Sequence, residues 1–239
     1  MTLMTSAAPE EQNLDIQQLQ GEYQDVSNMI LASHCGIKEV RTKLEILSDE
    51  MQLQYSRNPI ESIKSRIKSL DSIAGKLKRR GLPVTVEAAR EELFDIAGVR
   101  VICTFVDDVY RVAHMLAKQS DVKLLAVKDY IHNPKPNGYR SYHMIVEVPV
   151  FFSNHKELVK VEVQIRTIAM DFWATLEHQL NYKKDLQGSE EVSARLVACA
   201  ESISSVDKEM QEIREMVEQL GGPVGNGSSI AQNLRRLFR

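Results

Sequence analysis

Residues 99–106 read VRVICTFV, and this run restricts the fold more than any other stretch of the chain. β-branched side chains are stiff at χ1 and suit a pleated, covered surface. A run this short and this apolar reads as a buried strand, which requires neighbouring strands and a helix laid over them. The next residues supply such a helix. Val109, Val112, Ala113, Leu116 and Ala117 recur at steps of three and four, and Asp107 is placed to cap it.

Three more strands are readable downstream. KLLAVKDY (123–130) is the second and YRSYHMIVEV (139–148) the third. VEVQIRT (161–167) alternates strictly, with Val161, Val163 and Ile165 on one face and Glu162, Gln164 and Arg166 on the other. The proline- and glycine-marked loop HNPKPNG (132–138) and the hairpin-like 149–157 connection predict that part of the sheet is antiparallel. A helix is expected over 168–183. The fold class is therefore α/β (α+β): a mixed sheet of at least four strands flanked by helices.

Helical arms are predicted at both ends. Residues 1–12 read as disordered, and residues 13–54 as an N-terminal helical arm that is either two helices broken at Gly36 or one bent helix. Beyond the break RNP (57–59), residues 60–80 read as a basic helix, followed by a GLPVT loop and a short helix over 86–93. Over 186–220, Leu196, Cys199, Ile203, Val206, Met210, Ile213, Val217 and Leu220 alternate steps of three and four, a heptad seam. Residues 221–239 read as a flexible, basic tail.

Composition narrows the function classes. A net charge of -3 gives no global preference for nucleic acid or membrane, and no apolar run approaches a bilayer span. Cys35, Cys103 and Cys199 are scattered and odd in number, which argues against a disulfide framework or structural zinc and for a cytoplasmic setting. There is no GxxxxGK[ST], GxGxxG or GxSxG, so a nucleotide site here is neither a Walker loop nor a Rossmann turn.

Four clusters carry potential chemistry. Segment 62–80 sets Lys64, Arg66, Lys68, Lys76, Lys78, Arg79 and Arg80 against one acid, Asp71. It is either a solvated face or a polyphosphate grip. FDIAGVRV (94–101) puts Asp95 at a strand entrance and Arg100 on the strand; Asp95 is either a turn residue or a metal carboxylate. NPKPNGYRSYH (133–143) is a stiff loop presenting Lys135, Asn137 and Tyr139, where the tyrosine either packs on neighbours or stacks on a base. The fourth is the polar face of VEVQIRT. If the fold brings Glu162 to Asp95, the two form a carboxylate pair of the kind that binds Mg2+ with substrate phosphates.

Taken together, SRIKS, DSIAGKL, DIAGVRV, NPKPNGYRSYH, VEVQIRT and MDFWATLEHQLNYK resemble the synthetase domain of the RelA/SpoT-homologue family, over residues 55–185. The chain looks like one of its small, single-domain alarmone synthetases. The resemblance implies a roughly five-stranded mixed sheet of nucleotidyltransferase type. It implies transfer of pyrophosphate from ATP to the 3′-hydroxyl of GDP or GTP, with Mg2+ as cofactor, AMP as co-product and the bacterial stringent response as setting. Asp95 and Glu162 would be the catalytic metal ligands. Arg66 and Arg100 would embrace adenine, and Lys68, Ser72 and Lys76 the donor phosphates. Tyr139, Lys135, Asn137, His143, Gln164 and Arg166 would take the acceptor. It also implies homotetramers built from the terminal helices, and synthesis without the hydrolase activity of the family's long members. Two alternatives stand beside it: a pyrophosphokinase with an adenine nucleotide acceptor, and a non-catalytic module that pairs through its helices or touches RNA through its basic segments.

Overall fold

In a computed structural model, residues 9–55, 57–182 and 190–220 are described. The expected disorder of residues 1–12 lies outside them at 1–8, whereas 9–12 belong to the first helix; the expectation for the 221–239 tail also lies outside them. The element order is α1 (Pro9–Tyr55), β1 (Ile60–Ile67), α2 (Leu70–Arg79), α3 (Val86–Glu92), β2 (Ala97–Cys103), α4 (Val106–Ala117), β3 (Lys123–Asp129), β4 (Tyr142–Phe151), β5 (Lys156–Thr167), α5 (Ile168–Tyr182) and α6 (Glu190–Gln219).

The five strands form one mixed sheet in the order β1-β2-β5-β4-β3. Only β2 and β5 are parallel; the other neighbours run antiparallel. One face carries the main core. Val99, Val101, Val161, Val163, Ile165, Met144 and Val146 pack there against Val40, Leu44 and Met51 of α1 and Val109, Val112 and Leu116 of α4. The alternation read in VEVQIRT therefore holds: its valines and isoleucine are fully buried.

The sequence expectation fails in three places inside the fold, each for a physical reason. Residues 60–67 are a strand, not the start of a helix. Ile60, Ile63 and Ile67 have helix-like spacing, but the register shifts between Ile60 and Ser62. The extra residue of that bulge brings Ile60 and Ile63, three positions apart, to the same core. Gly36 does not interrupt α1, which is continuous from Pro9. A Cβ on Gly36 would lie 2.6 Å from Val159 Cγ1, so glycine lets the helix lie close on β5. Asp107 is not the cap of α4. Phe105 takes that position without a side-chain bond, and Asp107, in the first turn, receives Arg214. The heptad seam, by contrast, is where the sequence put it, and most of it faces outward: Val206 is 61% exposed and Met210 50%. The buried residues of α6 are Ala200, Asp207 and Arg214.

Candidate active site

The polar face of the sheet builds the site. Cross-strand register aligns Lys64, Arg100, Gln164, His143 and Lys128 in one row across all five strands. The adjacent row aligns Arg66, Gly98 and Glu162. A strand presents every second residue to one face, so these rows rise from the same floor. Above it opens a cleft of about 610 Å³, closed on one side by the 130–139 loop and on another by Ala174–Gln179 of α5.

Asp95 and Glu162, 67 positions apart in sequence, both line this cleft. The parallel pairing of β2 with β5 does this, by setting Gly98 beside Glu162 three residues after Asp95. Asp95 Oδ2 accepts from Lys68 Nζ and Lys76 Nζ, each at 2.7 Å. Burial works against ionisation of Asp95, but the two ammonium groups prevail and hold its carboxyl below the ordinary range. Its Oδ1 is buried and has no hydrogen-bond partner among the described residues.

Glu162 is held on both oxygens, by His143 Nδ1 at 3.2 Å and Gln164 Nε2 at 2.8 Å. Burial opposes its ionisation too, and the bonds from His143 and Gln164 bring its pKa below the usual value. Burial likewise holds His143 below its usual pKa, with its bond to Glu162 opposing. The chain of bonds continues. His143 Nε2 pairs with the Tyr139 hydroxyl at 2.8 Å, and Arg166 donates to that hydroxyl and to Gln164 Oε1. The five side chains form a closed ring that fixes the carboxylate relative to the tyrosine.

Tyr139 stands on the stiff loop foreseen from sequence. Gly138 has φ +89°, and Lys135 and Gly138 close a tight turn below the ring. Lys135 Nζ lies 4.7 Å and Arg166 Cζ 4.9 Å from the ring centroid, both in cation–π range. Asn137 Oδ1 accepts from the Tyr139 amide, and its Nδ2 donates to Glu177.

Arg66 and Arg100 lie between this cleft and a smaller one of about 190 Å³, which they line with Lys64, Gly98 and Gln164. A Cβ on Gly98 would meet the Arg66 side chain at 3.6 Å, so Gly98 is the floor under that guanidinium. Burial and the like charges of Arg166 and Arg66 hold Arg100 below its usual pKa, with Asp171 opposing. Such a cluster of guanidiniums is stabilised by anions.

Of the residues expected from sequence, Lys68, Ser72 and Lys76 do not line the cleft themselves, and Ser72 has no bond, among the described residues, to one that does. It is in the first turn of α2, where its N–H and hydroxyl both bond Ser69, the N-cap. Lys68 and Lys76 are joined to the cleft through Asp95. Asp171 was missed: its Oδ1 accepts from both Arg100 and Arg166, bridging the two sides of the site. Lys128, Tyr130 and Thr175 also line the cleft. The motif MDFWATLEHQLNYK contained Asp171 and Thr175, but helical spacing alone did not say which of its polar residues face the sheet.

A family model described as a region found in RelA / SpoT proteins matches residues 65–187. The GTP pyrophosphokinase YwaC of Bacillus subtilis is 44% identical over 195 residues, covering 82% of this chain and 93% of that protein. This chain belongs to the RelA/SpoT family. Another member, the GTP pyrophosphokinase YjbM of B. subtilis, is 39% identical and is covered over 86% of its length. The crystal structure of small alarmone synthetase 1 from B. subtilis bound to its product pppGpp superposes with a TM-score of 0.74 at 38% identity, covering 80% of this chain and 97% of that one. Small alarmone synthetase 2 from the same organism gives a TM-score of 0.74 at 44% identity, over 81% and 100% of the two chains. The mixed five-stranded sheet is thus the sheet of the small alarmone synthetases of this family. Among the described residues no helix is long and apolar enough to cross a membrane.

Proposed function

We propose that this protein is a GTP pyrophosphokinase that transfers the β,γ-pyrophosphate of ATP to the 3′-hydroxyl of GDP or GTP, forming (p)ppGpp and AMP. The observation that carries the reading is the carboxylate pair, Asp95 and Glu162, in one cleft with the cations Arg66, Arg100, Lys135 and Arg166 and the loop-borne Tyr139. Nucleotide handling by the relatives, one of them bound to pppGpp, supports it.

The donor set suits Mg2+. Among the described residues no group of three His, Cys, Asp or Glu converges as a metal cage. Mg2+ prefers one or two carboxylates plus water and phosphate oxygens, and the orphaned, buried Oδ1 of Asp95 is an acceptor of that kind. Asp95 and Glu162 would hold the ion, which when bound supplies charge neutralisation for the donor phosphates.

The chain's own residues divide the remaining work. Arg66 and Arg100 flank adenine, and Lys68 and Lys76 move from Asp95 to the donor phosphates. Ser72, at the N-terminus of α2, contributes at the phosphate end. Tyr139 stacks on guanine by exchanging one of its two cation partners for the base, and Lys135 and Asn137 take the acceptor edge and phosphates. His143, Gln164 and Arg166 wall the ribose. Glu162, held by His143 and Gln164, takes the proton of the attacking 3′-hydroxyl. Attack on the β-phosphorus breaks its bond to the bridging oxygen, and that oxygen leaves with AMP.

We further assign the catalytic unit to residues 55–185 and the apolar seam of α6 to pairing between copies, in homotetramers, within the bacterial cytoplasm. The direct test incubates the protein with ATP, Mg2+ and GDP or GTP and separates the nucleotides; a parallel incubation adds ADP as a competing acceptor. One AMP is expected per guanosine product. ADP or free phosphate in place of AMP would falsify the reading, and preferential use of the adenine acceptor would reassign the acceptor class.

A further inference from the structure

α6 meets the acceptor wall from behind at successive turns of one face. Leu196 O accepts from Trp173 Nε1 at 3.0 Å, which seats the helix on α5. One turn on, the Gly138 backbone lies flush against Ala200: a Cβ on Gly138 would be 2.6 Å from the Ala200 Cβ. Arg140 stitches the same contact, donating to Gly138 O at 3.2 Å and Ala200 O at 3.4 Å. Two turns further, Asp207 is only 6% exposed. Its Oδ2 accepts from Thr167 Oγ1 at 2.6 Å. Thr167, fully buried, follows Arg166 at the end of β5, and its Oγ1 accepts from the Met170 amide at the start of α5. One helix face thus holds both the loop that carries Tyr139 and the strand end that carries Arg166.

We propose that α6 is a positioning element for the acceptor nucleotide, with Asp207 as its positioning residue, acting through Thr167 on Arg166 while Ala200 and Arg140 seat the Tyr139 loop. The inference rests on reading Tyr139 and Arg166 as the acceptor wall. A purely packing role would be met by an apolar residue, and a buried carboxylate is costly unless its directional bonds matter. Apolar contacts would dock the helix but leave its slide and rotation free. Hydrogen bonds at Thr167 and at Arg140 fix both, and a misplacement of about 1 Å in such a wall costs about 100-fold in rate.

The test is steady-state kinetics on the full chain, varying each substrate with the other saturating. Asp207→Ala is expected to raise KM for GDP and GTP by about ten-fold, the cost of one buried bond to a charged group, with KM for ATP unchanged. Asp207→Asn keeps an oxygen for the Thr167 hydroxyl and is expected to restore most of the acceptor affinity. Equal effects on both substrates, or an asparagine variant as impaired as the alanine one, would overturn the inference. Tyr139→Ala separates this from the underlying reading. If it leaves the acceptor KM unchanged, the acceptor wall itself is misassigned. If it raises that KM while Asp207→Ala does not, the wall stands and the role of α6 fails. Should Asp207→Ala not fold, Arg140→Met gives the same readout: a selective rise in acceptor KM is expected, and none overturns the proposal.

Discussion

Glu162 accepts one hydrogen bond on each oxygen, from His143 and from Gln164, so its carboxylate cannot rotate freely. A base fixed in this way is useful only if its proton affinity matters to the reaction. Glu162→Gln keeps the shape and removes that affinity. Turnover is expected to fall by about 10²- to 10⁴-fold, the usual worth of a general base, while ATP and GDP still bind. Rapid-quench measurement of AMP, with nucleotide binding followed separately, checks both halves; near-normal turnover would remove Glu162 from the role. The residue types were legible in sequence because strand alternation put Glu162, Gln164 and Arg166 on one face. Asp171 was not, because a helix residue reaches the sheet only at a rotation set by tertiary packing.

At the scale of elements, two buried carboxylates, Asp108 and Asp207, fix how the helices dock. Arg57 donates to both oxygens of Asp108 at 2.7 and 2.8 Å, tying the chain after α1 to the first turn of α4. The Asp108 side chain is fully buried. Removing the guanidinium leaves that charge without its partner, so Arg57→Met is expected to lower stability by about 3–5 kcal/mol. Urea unfolding would check this, and a loss below 1 kcal/mol would mean that Asp108 finds another partner. Asp207 behaves differently. Burial raises its pKa, with only the Thr167 hydroxyl opposing. The folded form therefore binds the proton more tightly than the unfolded chain, and its stability contribution is present at low pH and lost as pH rises through the raised folded pKa. Asp207→Asn removes this titration. The melting temperature of the variant relative to the parent is expected to climb with pH above the ordinary carboxylate range, and a pH-independent difference would count against it. Neither contact was readable beforehand, since Asp207 sits inside an apparent heptad and Asp107, not Asp108, looked like the notable acid.

For the whole molecule, α6 is docked by its less apolar side. Ala200, Asp207 and Arg214 face inward, while Val206, Met210, Ile213 and Val217 stay 39–61% exposed on the neighbouring flank of the helix. Exposed apolar stripes of this kind mark pairing surfaces. Met210→Glu with Val217→Glu is expected to reduce the mass seen by light scattering while leaving the far-UV circular dichroism unchanged. A parent chain that is monomeric at every concentration would sink the assembly. The same orientation explains why the seam was visible in sequence while its use was not: periodicity identifies a face, and only packing says what covers it.

The sequence by itself determined the mixed sheet, the stiff tyrosine loop, the cationic segment and the family, because each rests on local periodicity, turn chemistry or motif order. Tertiary structure decided the rest. A bulge turned the helix-spaced isoleucines of 60–67 into an edge strand that sets Arg66 beside Gly98. The parallel β2–β5 pairing carried Asp95 and Glu162 to one cleft. The polar docking of α6 braced the tyrosine loop and the end of β5. These are contacts between residues far apart along the chain, and their geometry follows from strand register and helix rotation, which no local pattern encodes.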